Sequence, residues 1–327
     1  MNNNKLLAMN LQRFAGEDIT RENADSLIPI QESKEIIQGA IEASAVLSMG
    51  RRLPNMTSKQ YKMPVLDMLP VAYFVNGDTG TKKLTKMAWD KKFIVAEEIA
   101  VIVPVSDAVL DDAEYDIWAE VKPRLVEAFG KVIDGAIFFN QNKPASWRNG
   151  IVPTAVAAGN VVTLGTGTDL YDDLLGEGGT ISKVEEDGFF VNGHIADISM
   201  RAKFRNLRDG NGRPLFSTDM HTPTNFTLDG STIKFPRNGA WDKSAALMVS
   251  GDFSQLVYAI RQDITFKIFD TGVIQDPSTG EIIFNLLQND MKALRAVMRL
   301  GWEIPNPINQ LNTDKETRCP FSVLKNA

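Results

Sequence analysis

Between Met63 and Asn140 the chain carries a run that cannot close into a compact globule by itself. The segment from Met63 to Val103 reads as a two-armed extended stretch, and one amphipathic helix follows it, ending near Phe139. An ordinary strand runs about five to six residues, so each arm is too long for a common hairpin. Its turn region, Val75-Asn76-Gly77-Asp78-Thr79-Gly80-Thr81, is followed by the basic stretch Lys82-Lys83-Leu84-Thr85-Lys86. A hairpin projecting this far has no core of its own and must lie on something else. A second copy of the same chain is the expected support, which points to self-assembly rather than catalysis.

Composition narrows the classes further. At 327 residues, one large or two medium domains are expected. A hydrophobic content of 43% is enough for a sizeable core. The net charge of −6 argues against a protein whose task is to coat nucleic acid, which would carry a clustered basic excess. The single cysteine, Cys319, rules out an intrachain disulfide and a cysteine-built metal cluster. No apolar run approaches the roughly 18 to 20 residues of a membrane span. The early patch Leu6-Leu7-Ala8-Met9 is too brief for a secretory signal, so a soluble intracellular product is expected.

Residues 1–32 lack periodicity and read as an arm. Ser33 to Met49 is expected to be helical, with Ser33 as N-cap and Gly50 as stop. In the returning arm, Phe93 to Val103 is apolar on both faces at its end, as in a strand entering a buried sheet. Asp111, Asp112, Glu114 and Asp116 precede the best helix, where carboxylates favour the positive end of the helix dipole. Its stripe is Trp118, Val121, Leu125, Phe129, Val132, Ile133, Ala136 and Ile137, and Pro123 predicts a late start or a kink. Short strands and turns are expected from Ile151 to Gly167. Then come a helix over Leu170–Glu186, a strand over Phe189–Ile195 and a helix over Ser199–Leu207. Residues 217–243 look loop-rich, Ala246 to Ile260 and Thr265 to Phe269 look like strands, and Asp276 to Gly280 is a turn. Met291 to Ile304 is ambiguous, because Lys292, Arg295 and Arg299 fit a helix. The alternation of Leu294, Ala296, Met298, Leu300, Trp302 and Ile304 decides for a strand.

Signals for chemistry are weak. The two histidines, His194 and His221, have neither metal-ligand spacing nor a patterned acid beside them. Gly165-Thr166-Gly167 and Gly176-Glu177-Gly178-Gly179 resemble pieces of phosphate loops, yet neither completes the dinucleotide or P-loop pattern, so both read as turns. Asp209-Gly210-Asn211-Gly212 resembles part of a calcium loop, but the twelfth position is Met220 instead of a bidentate Glu. Lys82, Lys83, Lys86, Lys91 and Lys92 lack interleaved stacking aromatics and suit a solvated or inter-subunit electrostatic surface better than a nucleic-acid site. No catalytic, cofactor-binding or metal-binding residue is expected, and no cofactor.

Several stretches together resemble the tailed-bacteriophage major capsid proteins of the Hong Kong 97 type, especially those of phages of Firmicutes. They are Ala88-Trp89 with Phe93 and Ile102-Val103-Pro104-Val105-Ser106; Lys122 to Phe129 with Ile133-Asp134; Leu207 to Leu215; and Gly251-Asp252-Phe253 with Asp290 to Arg295. Each is short, but their order spans about Ile36 to Ile304. The resemblance implies an α+β capsid fold. Its parts would be an N-terminal arm (1–32), an N-terminal helix and start of the peripheral domain (33–62), and an extended loop (63–94). A peripheral domain with its spine helix (95–150), an axial domain (151–250), and a return to the peripheral domain with a C-terminal tail (251–327) would follow. It places Asn76, Gly77, Lys82, Lys83, Lys86 and Trp89 on an inter-subunit loop. Trp118, Leu125, Phe129 and Ile133 become the spine-helix core, and Asp209, Gly210, Gly212 and Pro214 an axial-domain turn.

The same resemblance implies hexamers and pentamers closing an icosahedral shell around double-stranded DNA held without sequence-specific contacts. It also implies a portal protein, no membrane, and location in the virion after assembly in the host bacterial cytoplasm. The stretch ahead of the first helix is too short for a fused scaffolding domain, so a separate scaffolding protein is implied. Met9-Asn10-Leu11-Gln12-Arg13-Phe14-Ala15 is similar to an N-terminal extension of Firmicute phage structural proteins that a host cysteine protease cuts after the Phe. That makes Phe14–Ala15 a candidate cleavage site. Two other readings stay open: an encapsulin-type bacterial compartment shell, and a cytosolic α/β enzyme using the Gly-rich turns.

Overall fold

A computed structural model of the protein describes residues 44–72, 74, 82, 84–112, 116–208, 211, 227–276 and 278–326. The chain enters through a short helix, α1 (Ala45–Met49), and the edge strand β1 (Arg51–Arg52). It then runs out along β2 (Gln60–Met68), returns along β3 (Ala88–Val95), and continues into β4 (Glu97–Ser106). A short helix, α2 (Asp107–Asp112), leads to the long helix α3 (Ile117–Phe139). Next come α4 (Ile151–Ala158), β5 (Val161–Thr163), α5 (Leu170–Leu175), α6 (Thr180–Glu186), β6 (Gly193–Ala196) and α7 (Met200–Asn206). The remaining elements are β7 (Thr227–Leu228), β8 (Ser231–Lys234), β9 (Met248–Gly251), β10 (Val257–Phe269), β11 (Val273–Gln275), β12 (Ile282–Asn285), β13 (Met291–Glu303) and β14 (Phe321–Lys325).

The helix α3 has defined ends. The Asp116 carboxylate accepts from the Trp118 N–H at 2.9 Å, an N-cap that also places a negative charge at the positive end of the dipole. At the other end Asn140 takes a left-handed conformation (φ 62) and its N–H returns to the Ala136 carbonyl. Leu125, Phe129, Ile133, Ala136 and Ile137 are buried in one cluster with Ile260, Leu294, Ala296, Met298 and Leu300, so the stripe lies on a sheet. That sheet has the order β1-β10-β13-β4. A second sheet, β5-β14-β9-β6-β8-β7, has its own cluster with Leu174, Ile181, Met200, Phe204 and Met248.

A buried carboxylate ties the entering chain to α3. Asp134 accepts from the Ser44 hydroxyl (2.6 Å), the Ala45 and Val46 N–H groups (2.9 and 3.1 Å) and the Asn238 amide (2.7 Å). Burial raises its carboxyl above the usual carboxylate range, against the pull of those donors.

Several sequence expectations are corrected. α3 starts six residues before Pro123, so the proline does not delay it. Val132 belongs to the exposed side of α3, beside the buried Ile133. The stretch after Gly150 forms a helix, α4, because small apolar residues let it pack on α3 and β14. The helix expected over Leu170–Glu186 breaks into α5 and α6, since Gly176 and Gly179 sit where a Cβ would meet the Asp172 carbonyl. The strand expected at Phe189–Ile195 shrinks to β6. The Ala246–Ile260 strand divides at Asp252, whose carboxylate caps a 3-10 turn over Phe253–Gln255. Thr265–Phe269 merges into the long β10. β4 lies at a sheet edge and is half exposed; Glu97 and Glu98 signal that exposure in the sequence, but it also reaches the apolar end, where Ile102 is 47% exposed. The last described strand, β14, lies in the six-stranded sheet between β5 and β9. Of the helix expected from Ser33, residues 33–43 lie outside the described residues; the described helix has Ser44 as its cap and Gly50 as its stop.

Candidate assembly interface

The extended two-armed segment is a real hairpin. Among the described residues, β2 and β3 pair antiparallel from Gln60↔Val95 to Met68↔Ala88 and form a two-stranded sheet. Two strands alone are marginal in water, so the ribbon must be held at its root and completed elsewhere.

The root is held firmly. Ile94 is fully buried with Met56, Ala96, Val257 and Ala259. Gly301 on β13 allows β3 to approach, because a Cβ there would lie 2.5 Å from the Val95 carbonyl oxygen. That carbonyl accepts from the Trp147 indole N–H at 3.0 Å. Farther out, the Ile308 N–H donates to the Leu66 carbonyl at 3.2 Å. The Lys315 ammonium pairs with Asp67 and, at 3.6 Å, with Asp90. The bond to Asp67 raises the Lys315 ammonium pKa, while the Lys91 N–H donating to Asp90 lowers that carboxyl. These exposed pairs contribute little stability; they aim the ribbon.

Beyond the root the ribbon presents apolar side chains to solvent. Phe74 is 104% exposed, Leu84 90%, Val71 65% and Trp89 61%, and Phe93, Met87 and Met68 are also exposed. So many large apolar side chains exposed on one ribbon suit an interaction surface. Lys82 and Lys86 stand exposed beside it, while Asn76, Gly77 and Lys83 lie outside the described residues.

The other residues singled out by sequence separate into two groups. Leu125, Phe129 and Ile133 are core, and Trp118 packs against that core while partly buried. Phe14, Ala15, Asp209, Gly210, Gly212 and Pro214 lie outside the described residues. Sequence reasoning missed the clamp by Lys315 and Ile308, whose partners are more than two hundred positions away in the chain. It also missed Phe74 and Leu84; Phe74 just ahead of the Asn76-Gly77 turn and Leu84 among lysines were the available signals.

The features that could have suggested catalysis have structural explanations. Both Gly165 and Gly167 N–H groups donate to the Asp173 carboxylate at 2.7 Å, so that loop's donors are already used within the chain. His194 is fully buried. Its Nε2 lies 3.3 Å from the Leu228 carbonyl, which can only accept, so Nε2 carries the proton and Nδ1 accepts from the Ser250 hydroxyl at 2.9 Å. Burial pushes its pKa down to about 4 and keeps the ring neutral. Among the described residues no group of His, Cys, Asp and Glu could hold a metal ion. No described helix is long and apolar enough to cross a membrane.

Among the described residues, a rooted two-stranded ribbon projects from a body of two sheets. Comparison with known proteins identifies the family. Residues 24–308 match the phage capsid family, and the chain belongs to that family. It is 25% identical over 317 residues to the major capsid protein of Staphylococcus phage 80alpha, covering 93% of each chain. A solved structure from Microbacterium phage Oxtober96 is 35% identical, with a TM-score of 0.77 over 95% of this chain and 100% of that one. One from Mycobacterium phage Cain is 30% identical, with a TM-score of 0.74 over 95% and 99% of the two chains. The mixed α+β architecture fits the Hong Kong 97-type capsid fold expected from the sequence.

Proposed function

We propose that this protein is the major subunit of a phage head, assembling as hexamers and pentamers into a closed icosahedral shell around double-stranded DNA. The observation that carries this reading is the β2–β3 ribbon. It exposes Val71, Phe74, Leu84 and Trp89, has no third strand among the described residues, and is anchored at its root, where the Trp147 indole donates to the Val95 carbonyl. The ribbon lies on a neighbouring subunit, where that surface becomes buried. Many such contacts add through effective concentration, so each one can be weak. On this reading the sheet under α3 belongs to the peripheral domain, the six-stranded sheet including β14 to the axial domain, and 63–94 to the extended loop.

The net charge of −6 suits a container, because a basic lumen would hold DNA nonspecifically and impede packing. A separate scaffolding protein and a portal complete the set of partners, with assembly in the host cytoplasm. Deleting Asn76–Lys86 tests the reading, since that removes the tip and leaves every root contact. The deleted chain should remain folded and soluble yet form no shells in negative-stain images. Normal shells from it would overturn the reading.

A further inference from the structure

The stretch between β13 and β14 is long, irregular and densely bonded. From Pro305 to Pro320 it forms neither helix nor strand. A loop of more than about 12–15 residues without regular structure is uncommon in a compact body unless it carries a function. This one is closed on itself. Arg318 is 3% exposed; its Nε donates to the Asn306 side-chain oxygen at 3.0 Å, and its terminal nitrogens donate to the Asn306 and Asn312 carbonyls, both at 2.9 Å. The Asn306 amide donates back to the Arg318 carbonyl at 2.8 Å. Asn306 itself is left-handed (φ 46) and stands between Pro305 and Pro307, whose rings fix their own φ angles.

One side of the closed loop is fixed to the six-stranded body at Asp187, in the turn between α6 and β6. The Asp187 carboxylate is buried and accepts from the Asn312 amide (2.7 Å), the Cys319 N–H (2.9 Å) and the Asn160 amide (2.8 Å). Its main-chain carbonyl accepts from the Asn309 amide at 2.7 Å. The other side of the loop reaches the ribbon, through the Ile308 N–H on the Leu66 carbonyl and through Lys315 on Asp67 and Asp90. That place on the ribbon is distinctive. Leu66 pairs with Trp89 and Met68 with Ala88, so Asp67 is the extra residue of a β-bulge. Bulges bend a strand and re-aim a side chain; here the re-aimed carboxylate meets Lys315. The root contacts of Ile94 and Val95 belong to β3, whereas the loop takes hold of β2 farther out and, through Asp90, of β3 as well.

We propose that the loop 306–318 is a brace that sets the direction of the ribbon relative to the six-stranded sheet, with Asp187 and Lys315 as positioning residues at its two ends. Its consequence for assembly rests on the shell reading, in which the ribbon must meet a neighbour at one place. The brace acts through position, because an ion pair as exposed as that of Lys315 adds little to folding stability. It also makes the ribbon answer to a distant residue: a change at Asp187, which holds the loop, alters where the ribbon points.

Spin labels on Met68→Cys, just beyond the bulge, and on Glu185→Cys, exposed on α6, report that direction as a distance distribution. Labelled chains are diluted in a large excess of unlabelled chain, so that only distances within one chain are read. Cys319 is 1% exposed and stays unlabelled. The parent and Lys315→Arg should give one narrow distribution, and Lys315→Ala and Asp187→Asn should each roughly double its width. Lys315 is exposed, so the denaturant midpoint of Lys315→Ala should match the parent. An unchanged width in Lys315→Ala overturns the brace, even where Asp187→Asn fails to fold. A folded Asp187→Asn chain of unchanged width overturns its anchoring to the body.

In shell assembly, Lys315→Ala should lower the yield of closed shells several-fold and Lys315→Arg should keep it. Normal yield from Lys315→Ala, despite a broadened distribution, overturns the part of the brace in assembly. Failure of the shell reading looks different, because the Asn76–Lys86 deletion would then assemble normally whatever the widths.

Discussion

Phe129 is 2% exposed and sits where α3 meets the four-stranded sheet. Truncation to Ala should cost about 3–5 kcal/mol, because a large cavity opens among residues that cannot collapse around it. Against a typical domain stability of about 5–15 kcal/mol, the expected result is a sharply lowered denaturant midpoint or insoluble protein. An unchanged midpoint would contradict the burial. His194 gives a pH signature. Its folded-state pKa is about 4, below the ordinary 6.5, because burial disfavours the charged ring. The neutral ring's contribution is therefore complete above about pH 6.5 and is lost as pH falls towards 4, with a slope of up to about 1.4 kcal/mol per unit. Asp134 acts in the opposite sense, since its raised carboxyl favours the fold as pH falls. Comparing the parent with His194→Gln cancels Asp134, and denaturant midpoints should fall less steeply below pH 6.5 in the variant. Identical slopes would show that His194 does not titrate as described.

Elements were legible in the sequence where a period ran long enough. β13 could be read through its misleading Lys292, Arg295 and Arg299 because six apolar positions alternate. α3 was legible because its stripe outlasts Pro123 and its Asp116 cap stands in place. α4 was not, since Ile151-Val152-Pro153-Thr154 reads as strand and only packing against α3 and β14 selects a helix. The breaks at Gly176–Gly179 and Asp252 were visible as residues, but their effect depended on close approaches that composition does not record. The candidate interface was legible as an excess of extended chain, while its clamp by Lys315 depended on a contact distant in sequence. The residues before Ser44 carry their own test. Proteolytic maturation at Phe14–Ala15 would remove Lys5 and Arg13 and leave a more acidic N-terminal segment. Intact-mass measurement on particles from the natural host should then show a chain beginning at Ala15. A mass that retains Met1 or Asn2 would end that proposal without touching the fold.

For the whole molecule, the two sheets supply a body and the ribbon supplies a reason for it to associate. The two-stranded ribbon, with Phe74, Leu84 and Trp89 in water, is a poor feature for a protein that works alone. On the proposed function it becomes a repeated contact in a shell, and the net charge of −6 disfavours nonspecific hold on enclosed DNA. The most direct measurement is electron microscopy of the full-length protein produced together with the other head proteins of its phage. Closed isometric shells with hexameric and pentameric capsomers are expected, each ribbon lying across a neighbour. A uniform population of small oligomers, with the ribbon folded onto its own subunit, would contradict the account.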